Sequence, residues 1–200
     1  MFPFVEVEVR LGTITKKGNN ETFFDSGIDK NYFLKINNSL AIDTNWKAVE
    51  DIHSVEYYEE SKTKGVSTRL IESNNKKILS SKENIISKTI QLNNSPFDIR
   101  FSVNQEFILG KSELTNSTTI RDKSRKSYIS DNFKYDLTFV IQSVNNVKTE
   151  RYEIEIELLQ NDETITWTKE YFNDFLECKI YDLINIVEPI KRDSFKINIH

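Results

Sequence analysis

The stretch RYEIEIELL, residues 151–159, sets a glutamate at every second position: Glu153, Glu155 and Glu157. Successive side chains of a β-strand point to opposite faces. The three carboxylates therefore share one face, and Tyr152, Ile154, Ile156 and Leu158 share the other. FVEVEVRLG at 4–12 repeats the device, with Val5, Val7 and Val9 against Glu6, Glu8 and Arg10. The same period runs through FDIRFSVNQEF (97–107) and FKYDLTFV (133–140). A chain patterned this way folds mainly as antiparallel β. Shorter strands are expected at 54–59, 66–72, 84–92, 125–130 and 194–199. Helix signals are few. DTNWKAVEDI (43–52) carries a capping residue and reads as a short helix. NDFLECKIYDLINIVE (173–188) has the apolar spacing of an amphipathic helix. Polar connectors are expected at 13–30, 73–83, 110–122 and 143–149.

A row of glutamates on a half-buried strand ordinarily faces water. Two features favour an interior instead. Like charges about 7 Å apart along a strand repel by roughly 2 kcal/mol per pair at an effective dielectric near 20, far less in open water. The corresponding faces of other strands carry Arg100, Lys134 and the cluster RDKSRK at 121–126. If the strands close with their polar faces inward, they enclose a charged, hydrated tunnel, and helices cover the apolar exterior. Buried charges must be paired or neutralised. A hard divalent cation, Mg²⁺ or Mn²⁺, satisfies carboxylates, and a polyphosphate satisfies Arg and Lys. Together they point to metal-assisted phosphoryl chemistry.

Composition narrows the rest. At 200 residues the chain is long enough for one domain with a real core, so residues 1–200 read as a single domain. Thirteen Phe, eight Tyr and two Trp argue against disorder. One cysteine excludes a disulfide framework and favours an intracellular home, nuclear or cytoplasmic. No apolar run is long enough to span a membrane, and there is no secretory signal. The net charge of −4 gives no bulk attraction to nucleic acid. The sequence has no Gly-rich phosphate loop, no Cys/His zinc spacing and no phosphate-cradling loop after Cys178.

These motifs, in this order, resemble the metal-dependent RNA 5′-triphosphatases of fungi, protozoa and large DNA viruses, which belong to the triphosphate tunnel metalloenzymes. VEVEVRLG (5–12) is similar to the family's N-terminal metal-binding strand, and YEIEIEL (152–158) to its C-terminal one. FDIRFSVNQE (97–106), RDKSRKSYIS (121–130), KYDLT (134–138) and STRLI (67–71) resemble the strands between. The resemblance implies an antiparallel eight-stranded β-barrel around a charged tunnel, with a few flanking helices including one near the C-terminus.

By the same resemblance, Glu6, Glu8 and Glu157 are the metal ligands. Glu155 and Asp136 hold metal-bound water, and Arg10, Thr138 and Glu153 support the site. Glu106 orients the attacking water. Arg69, Lys123 and Arg125 grip phosphate, joined in substrate binding by Arg100, Lys134 and Lys88. Lys134 stands where the family usually has Arg, which keeps the charge but loses the bidentate fork. The implied activity is removal of the γ-phosphate from 5′-triphosphorylated RNA, as mRNA capping requires, with Mg²⁺ or Mn²⁺ as cofactor. Nucleoside triphosphates are implied as further substrates with Mn²⁺. A guanylyltransferase, separate or fused after residue 200, is the implied partner, and an apolar patch outside the barrel would suit it or a homodimer. Two alternatives stay open: a tunnel hydrolase of tripolyphosphate or another small triphosphate, and a non-catalytic triphosphate-binding barrel. RDKSRKSY and KYDLT favour the RNA branch.

Overall fold

A computed structural model of the chain describes residues 4–17, 21–59, 63, 65–110, 114, 117–192, 195 and 197. Among these residues nine strands and two α-helices follow in the order β1 (Phe4–Lys17), β2 (Glu21–Asp25), α1 (Lys30–Ile42), β3 (Ala48–Glu59), β4 (Val66–Ser73), β5 (Lys76–Ile90), β6 (Asp98–Gly110), β7 (Ser117–Ile129), β8 (Phe133–Val144), β9 (Val147–Leu158) and α2 (Lys169–Val187), with a 3-10 turn at Thr164–Thr166 before α2. Every strand pairing is antiparallel. The strand order is β1-β6-β5-β4-β3-β7-β8-β9, and β9 returns to β1, so eight strands close into a barrel. Closure removes the sheet edges that would otherwise be open to pairing. The ninth strand, β2, lies outside the ring on the far end of β1.

β1 has two successive sets of partners. Its first part runs between β6 and β9, from Phe4 to Gly12 on the β6 side, and from Thr13 it pairs with β2. Gly12 marks the change. A Cβ there would fall inside contact distance of the Asp25 carbonyl and the Phe24 ring, so only glycine admits β2 so closely.

The polar rows face into the barrel and the apolar rows face out. Val9, Leu11, Ile99, Leu137, Ile154 and Ile156 on the outer wall form one buried cluster with Phe33, Ile36 and Leu40 of α1 and with Leu176, Ile180, Leu183 and Ile184 of α2. The hydrophobic core thus lies between wall and helices, not inside the barrel. Asp29 caps α1 by accepting from the Asn31 amide, and Thr168 caps α2 by accepting from the Tyr171 amide. Two buried tyrosines tie helices to wall: Tyr128 Oη donates to Asn37 Oδ1 (2.9 Å) and Tyr135 Oη to the Lys179 carbonyl (3.2 Å).

The strands expected at 4–11, 97–107, 133–140 and 151–158 are present, as is the C-terminal helix. The helix expected at 43–52 is not. Asp43 instead accepts from the Asn45 amide (2.9 Å), closing a turn with the side chain that resembled a cap. Trp46 packs against Tyr128, Phe133 and Tyr135, and from Ala48 the chain is strand. The real helix, α1, follows the expected connector 13–30, which itself holds the end of β1 and all of β2. Connectors 73–83 and 143–149 shrink to two-residue hairpins at Asn74–Asn75 and Asn145–Asn146. All four asparagines have positive φ, from 49° to 65°, as a type I′ turn requires. The connector 110–122 is strand from Ser117. The strand expected at 194–199 lies largely outside the described residues.

Ile180 is fully buried between α2 and the wall. Ile180→Ala is expected to lower unfolding free energy by about 2–5 kcal/mol in urea titrations. Ile165→Ala, at a site 75% exposed, should cost far less. Equal losses at the two sites would contradict a core that lies outside the barrel.

Candidate active site

Antiparallel register places directly opposed residues on one face, so the inward rows can be followed around the ring. Glu8 opposes Glu157 and Arg10 opposes Glu155 across β1 and β9. Lys134 opposes Glu157, Asp136 opposes Glu155 and Thr138 opposes Glu153 across β8 and β9. Arg125 opposes Thr138, and Glu106 opposes Lys82. Fourteen of the fifteen residues singled out in the sequence share this lining: Glu6, Glu8, Arg10, Arg69, Arg100, Glu106, Lys123, Arg125, Lys134, Asp136, Thr138, Glu153, Glu155 and Glu157.

Lys88 is the exception. A bulge between Asn84 and Ile86 shifts β5 by one residue against β6, so Lys88 opposes Phe101, which packs outside against Phe172 of α2. Lys88 thus belongs to the outer face. The lysine that β5 sends inward is Lys82, before the bulge. Its ammonium touches Glu6 and lies 3.6 Å from Glu8 and 3.9 Å from Glu106. Adjacent Ile85 and Ile86, which break strict alternation, were the signal for the bulge.

Three groups of ion pairs fill the interior. Around Lys82, the Asn104 amide donates to Glu8 (3.2 Å) and to Glu6 (3.4 Å), and Arg69 reaches Glu106 (2.7 Å). Arg69 also approaches Glu56 (3.4 Å), which pairs with Lys123 (2.7 Å) and accepts from the Tyr58 hydroxyl. Beside it, Arg10 bridges Glu8 (3.1 Å) and Glu155 (2.9 Å). Arg125 reaches Asp136 (3.0 Å) and Glu155 (3.6 Å), and donates to Thr138 Oγ (3.2 Å). Lys134 holds Glu157 (3.0 Å) and Asp136 (3.2 Å), and Ser127 donates to Asp136 (2.5 Å). Farther along, Glu153 pairs with Arg121 (2.6 Å) and Arg151 (3.6 Å). The sequence reading gave no role to Glu56, Asn104 or Lys82, and took Arg121 only as part of the basic cluster 121–126; the strand register puts all four on the inward face.

These neighbours set the charge states. Burial pushes the Glu56 carboxyl up, but Lys123 and Arg69 outweigh it and hold it at about 2. Glu155 is likewise raised by burial and brought well below the usual range by Arg10 and Arg125. Glu157 goes the other way: burial raises it, Lys134 only partly offsets this, Glu6 adds repulsion, and the carboxyl reaches about 7. Glu6 is raised by burial and by the charge of Glu8. Carboxyls raised in this way mark a part of the tunnel that is short of positive charge.

That shortage bears on a metal. Among the described residues no three carboxylate, imidazole or thiol groups converge as they would around an ion. Glu6 and Glu8 are drawn to Lys82 and Arg10, and Glu157 to Lys134. Yet Glu8 faces Glu157 across the β1–β9 pair, Glu6 is the next inward residue, and the Lys82 ammonium lies between Glu6 and Glu8 as a cation would. The donors are all oxygen. The set fits a hard divalent cation such as Mg²⁺ or Mn²⁺.

Residues 2–192 match the family model described as mRNA capping enzyme, beta chain, an mRNA triphosphatase family. The chain belongs to that family. No curated protein matches it by sequence. Among solved structures it is similar to the S. pombe Pct1 RNA triphosphatase in complex with the Spt5 CTD, at 20% identity and a TM-score of 0.73, with 90% of this chain and 85% of that chain covered. A second Pct1 structure matches at 22% identity and 0.65, covering 77% of this chain and 70% of the other. The Mimivirus capping enzyme triphosphatase matches at 17% and 0.57, covering 90% and 89%. At these identities the likeness establishes the shared fold. The family makes RNA triphosphatase activity in capping the function of the domain.

A pH dependence of stability follows for the metal-free protein. Glu56 falls from 4.5 to about 2 on folding, so its contribution is full above about pH 4.5 and is lost as pH drops toward 2. Glu157 rises from 4.5 to about 7, so its contribution is full below about pH 4.5 and is lost as pH rises through 7. The melting temperature in EDTA is expected to be highest near pH 4.5 and to fall toward pH 7, and Glu157→Gln should flatten that fall. A melting temperature that climbs steadily from pH 6 to 8 would contradict this arrangement of charges.

Proposed function

We propose that this domain hydrolyses the β–γ phosphoanhydride of 5′-triphosphorylated RNA, leaving a diphosphate end, with Mg²⁺ or Mn²⁺ held by Glu6, Glu8 and Glu157. The observation that carries the reading is the inward opposition of Glu8 to Glu157, with Glu6 beside them and Lys82, Arg69 and Lys123 on the facing strands. A divalent cation bound there supplies charge neutralisation at the γ-phosphate oxygens. The protein supplies the remainder.

Arg69 and Lys123 share Glu56 and so present fixed positive charge to the phosphates. Glu106, held by Arg69 at 2.7 Å, aligns a water with the scissile bond. Lys82 spans from the carboxylates of Glu6 and Glu8 to Glu106, where it meets the transferring group. Arg125 is steered by Asp136, Thr138 and Glu155, which makes those three positioning residues. Phosphoryl transfer gains mainly from such positioning and preset charge. No covalent intermediate is required.

The diphosphate end is what a guanylyltransferase consumes, so the reading places the domain beside that enzyme inside the cell, separate or fused, in nucleus or cytoplasm. S. pombe Pct1 is known in complex with the Spt5 CTD, which supports a protein partner for this domain. Among the described residues no helix is long and apolar enough to cross a membrane.

The decisive experiment measures phosphate release from RNA labelled at the 5′ γ-position. Release is expected only with Mg²⁺ or Mn²⁺, and Glu8→Ala, Glu157→Ala and Glu106→Ala should each lower it by about 100-fold or more. Metal-independent release, or full activity in Glu8→Ala, would overturn the assignment. Lys82→Ala is expected to lower kcat/KM roughly tenfold more than Lys88→Ala, by the size typical of one lost charged contact. The reverse order would place the tunnel lysine after the bulge.

A further inference from the structure

Among the described residues, four buried side-chain atoms have no hydrogen-bond partner: Ser80 Oγ and the Nε atoms of Arg69, Arg100 and Arg121. Two of the four belong together. Ser80 and Arg69 are direct opposites across β4 and β5, so an orphaned hydroxyl faces an orphaned guanidinium nitrogen on the inner wall. Ser80 is 4% exposed. A hydroxyl buried so deeply without a protein partner is costly unless an oxygen from outside the chain completes it.

Its place in the tunnel says which oxygen. Lys82 opposes Glu106 across β5 and β6, and at the next inward step Ser80 opposes Ile108. From these two strands the charged cavity of about 350 Å³ is lined by Lys82, Asn84, Ser87, Arg100, Ser102 and Asn104. All of these lie at the Lys82–Glu106 rung or on its far side from Ser80. Ser80 itself does not line that cavity, and beyond it the inward residues of β5 and β6 are Ile78 and Ile108.

An in-line displacement puts the attacking and leaving oxygens on opposite sides of the phosphorus. A triphosphate in the cavity, with its γ-phosphate at Lys82 and Arg69, has its bridging oxygen on the cavity side. The attacking water then approaches from the Ser80 side. Glu106 stands at the same boundary. Arg69 and Lys82 both approach it at Oε1, so Oε2 is the acceptor for a water. Ser80 and Glu106 are diagonal neighbours on paired strands, about 7 Å apart, close enough for one water to bond both side chains.

We propose that Ser80 Oγ, together with Glu106, holds the attacking water. The proposal rests on the RNA triphosphatase reading above. The water donates one hydrogen to Glu106 and the other to Ser80, which leaves an oxygen lone pair directed at the γ-phosphorus. As the water oxygen bonds to phosphorus, the bond from phosphorus to the β–γ bridging oxygen breaks, and that oxygen keeps the electron pair on the diphosphate end. The proton given up by the water passes to Glu106 and from there to solvent, and orthophosphate departs. The facing Nε of Arg69 donates to the γ-phosphate, so the two orphaned atoms serve the two reacting partners.

The test measures γ-phosphate release from 5′-triphosphorylated RNA, alongside thermal melts of the same proteins. Ser80→Ala is expected to lower kcat roughly tenfold, the loss of one hydrogen bond at the reacting water, and to change KM by less than about twofold. Because the variant removes an unsatisfied hydroxyl, it should melt no lower than the wild-type protein in EDTA. In single-turnover reactions, Ser80→Ala combined with Glu106→Ala should be no more than about twofold slower than Glu106→Ala alone, because the two side chains act on one water. A wild-type kcat in Ser80→Ala overturns the proposal and leaves the RNA triphosphatase reading standing. So does a rise in KM at constant kcat, which would make Ser80 a phosphate ligand. A melting temperature that falls along with kcat, or a full tenfold loss on top of Glu106→Ala, overturns it in the same way. Absence of γ-phosphate release by the wild-type protein with either metal overturns both readings.

Discussion

Charge pairing inside a closed ring is the constraint on which the structure depends. Glu155 is 4% exposed and Asp136 is fully buried, positions where an unpaired carboxylate would cost several kcal/mol. Arg10, Arg125 and Lys134 make those positions tenable. The pairing in turn demands closure, because Arg10 reaches Glu155 only where β9 returns to β1. The same strands must then carry their apolar residues outward, and α1 and α2 must cover them. A one-residue slip of any strand would drive carboxylates under the helices and valines into the tunnel. Register, closure and charge state are therefore one requirement expressed at three levels.

The glutamate rows at Glu6/Glu8 and Glu153/Glu155/Glu157 made much of this legible, because a period of two is a direct statement about faces. The amphipathic stripe of α2 was equally plain. α1 was not, for a physical reason. Its stripe is three residues, Phe33, Ile36 and Leu40, amid four asparagines and serines that favour turns, and most of its stability comes from packing on the wall. Asp43 gave a stronger local cap signal, but caps and side-chain-closed turns use the same aspartate chemistry. The two Asn-Asn pairs were readable as hairpins, and treating them as long connectors shortened the strands on both sides.

For the site, inward parity was legible wherever alternation held from end to end, and it failed at the irregularity. The bulge after Asn84 exchanges the faces of everything beyond it on β5, which turns Lys88 outward and leaves Lys82 inside. Periodicity cannot locate such a shift, since both phases look alike until two apolar residues fall together. Glu56 was hidden differently. It opposes Arg121 on β7 and Ile71 on β4, so its row mixes apolar and charged residues and carries little pattern. Its importance comes from Lys123 and Arg69, strands away in sequence.

The interior also explains how one protein can hold so much charge and still accept more. Lys82 lies between Glu6 and Glu8, where a metal ion would bind on the proposed reading, and it also faces Glu106. On the proposed reading Glu6, Glu8 and Glu157 would hold a divalent cation, whose charge would replace that of the ammonium and offset the repulsion that helps raise Glu6 and Glu157. Lys82 would then be available to pair with the phosphate, which would bring counter-charge for the added cation. Metal and triphosphate would thus partly cancel each other's charge, exchanging one set of ion pairs for another on the barrel wall. Little reorganisation is needed at the moment of reaction, the condition under which preset dipoles and charges are most effective.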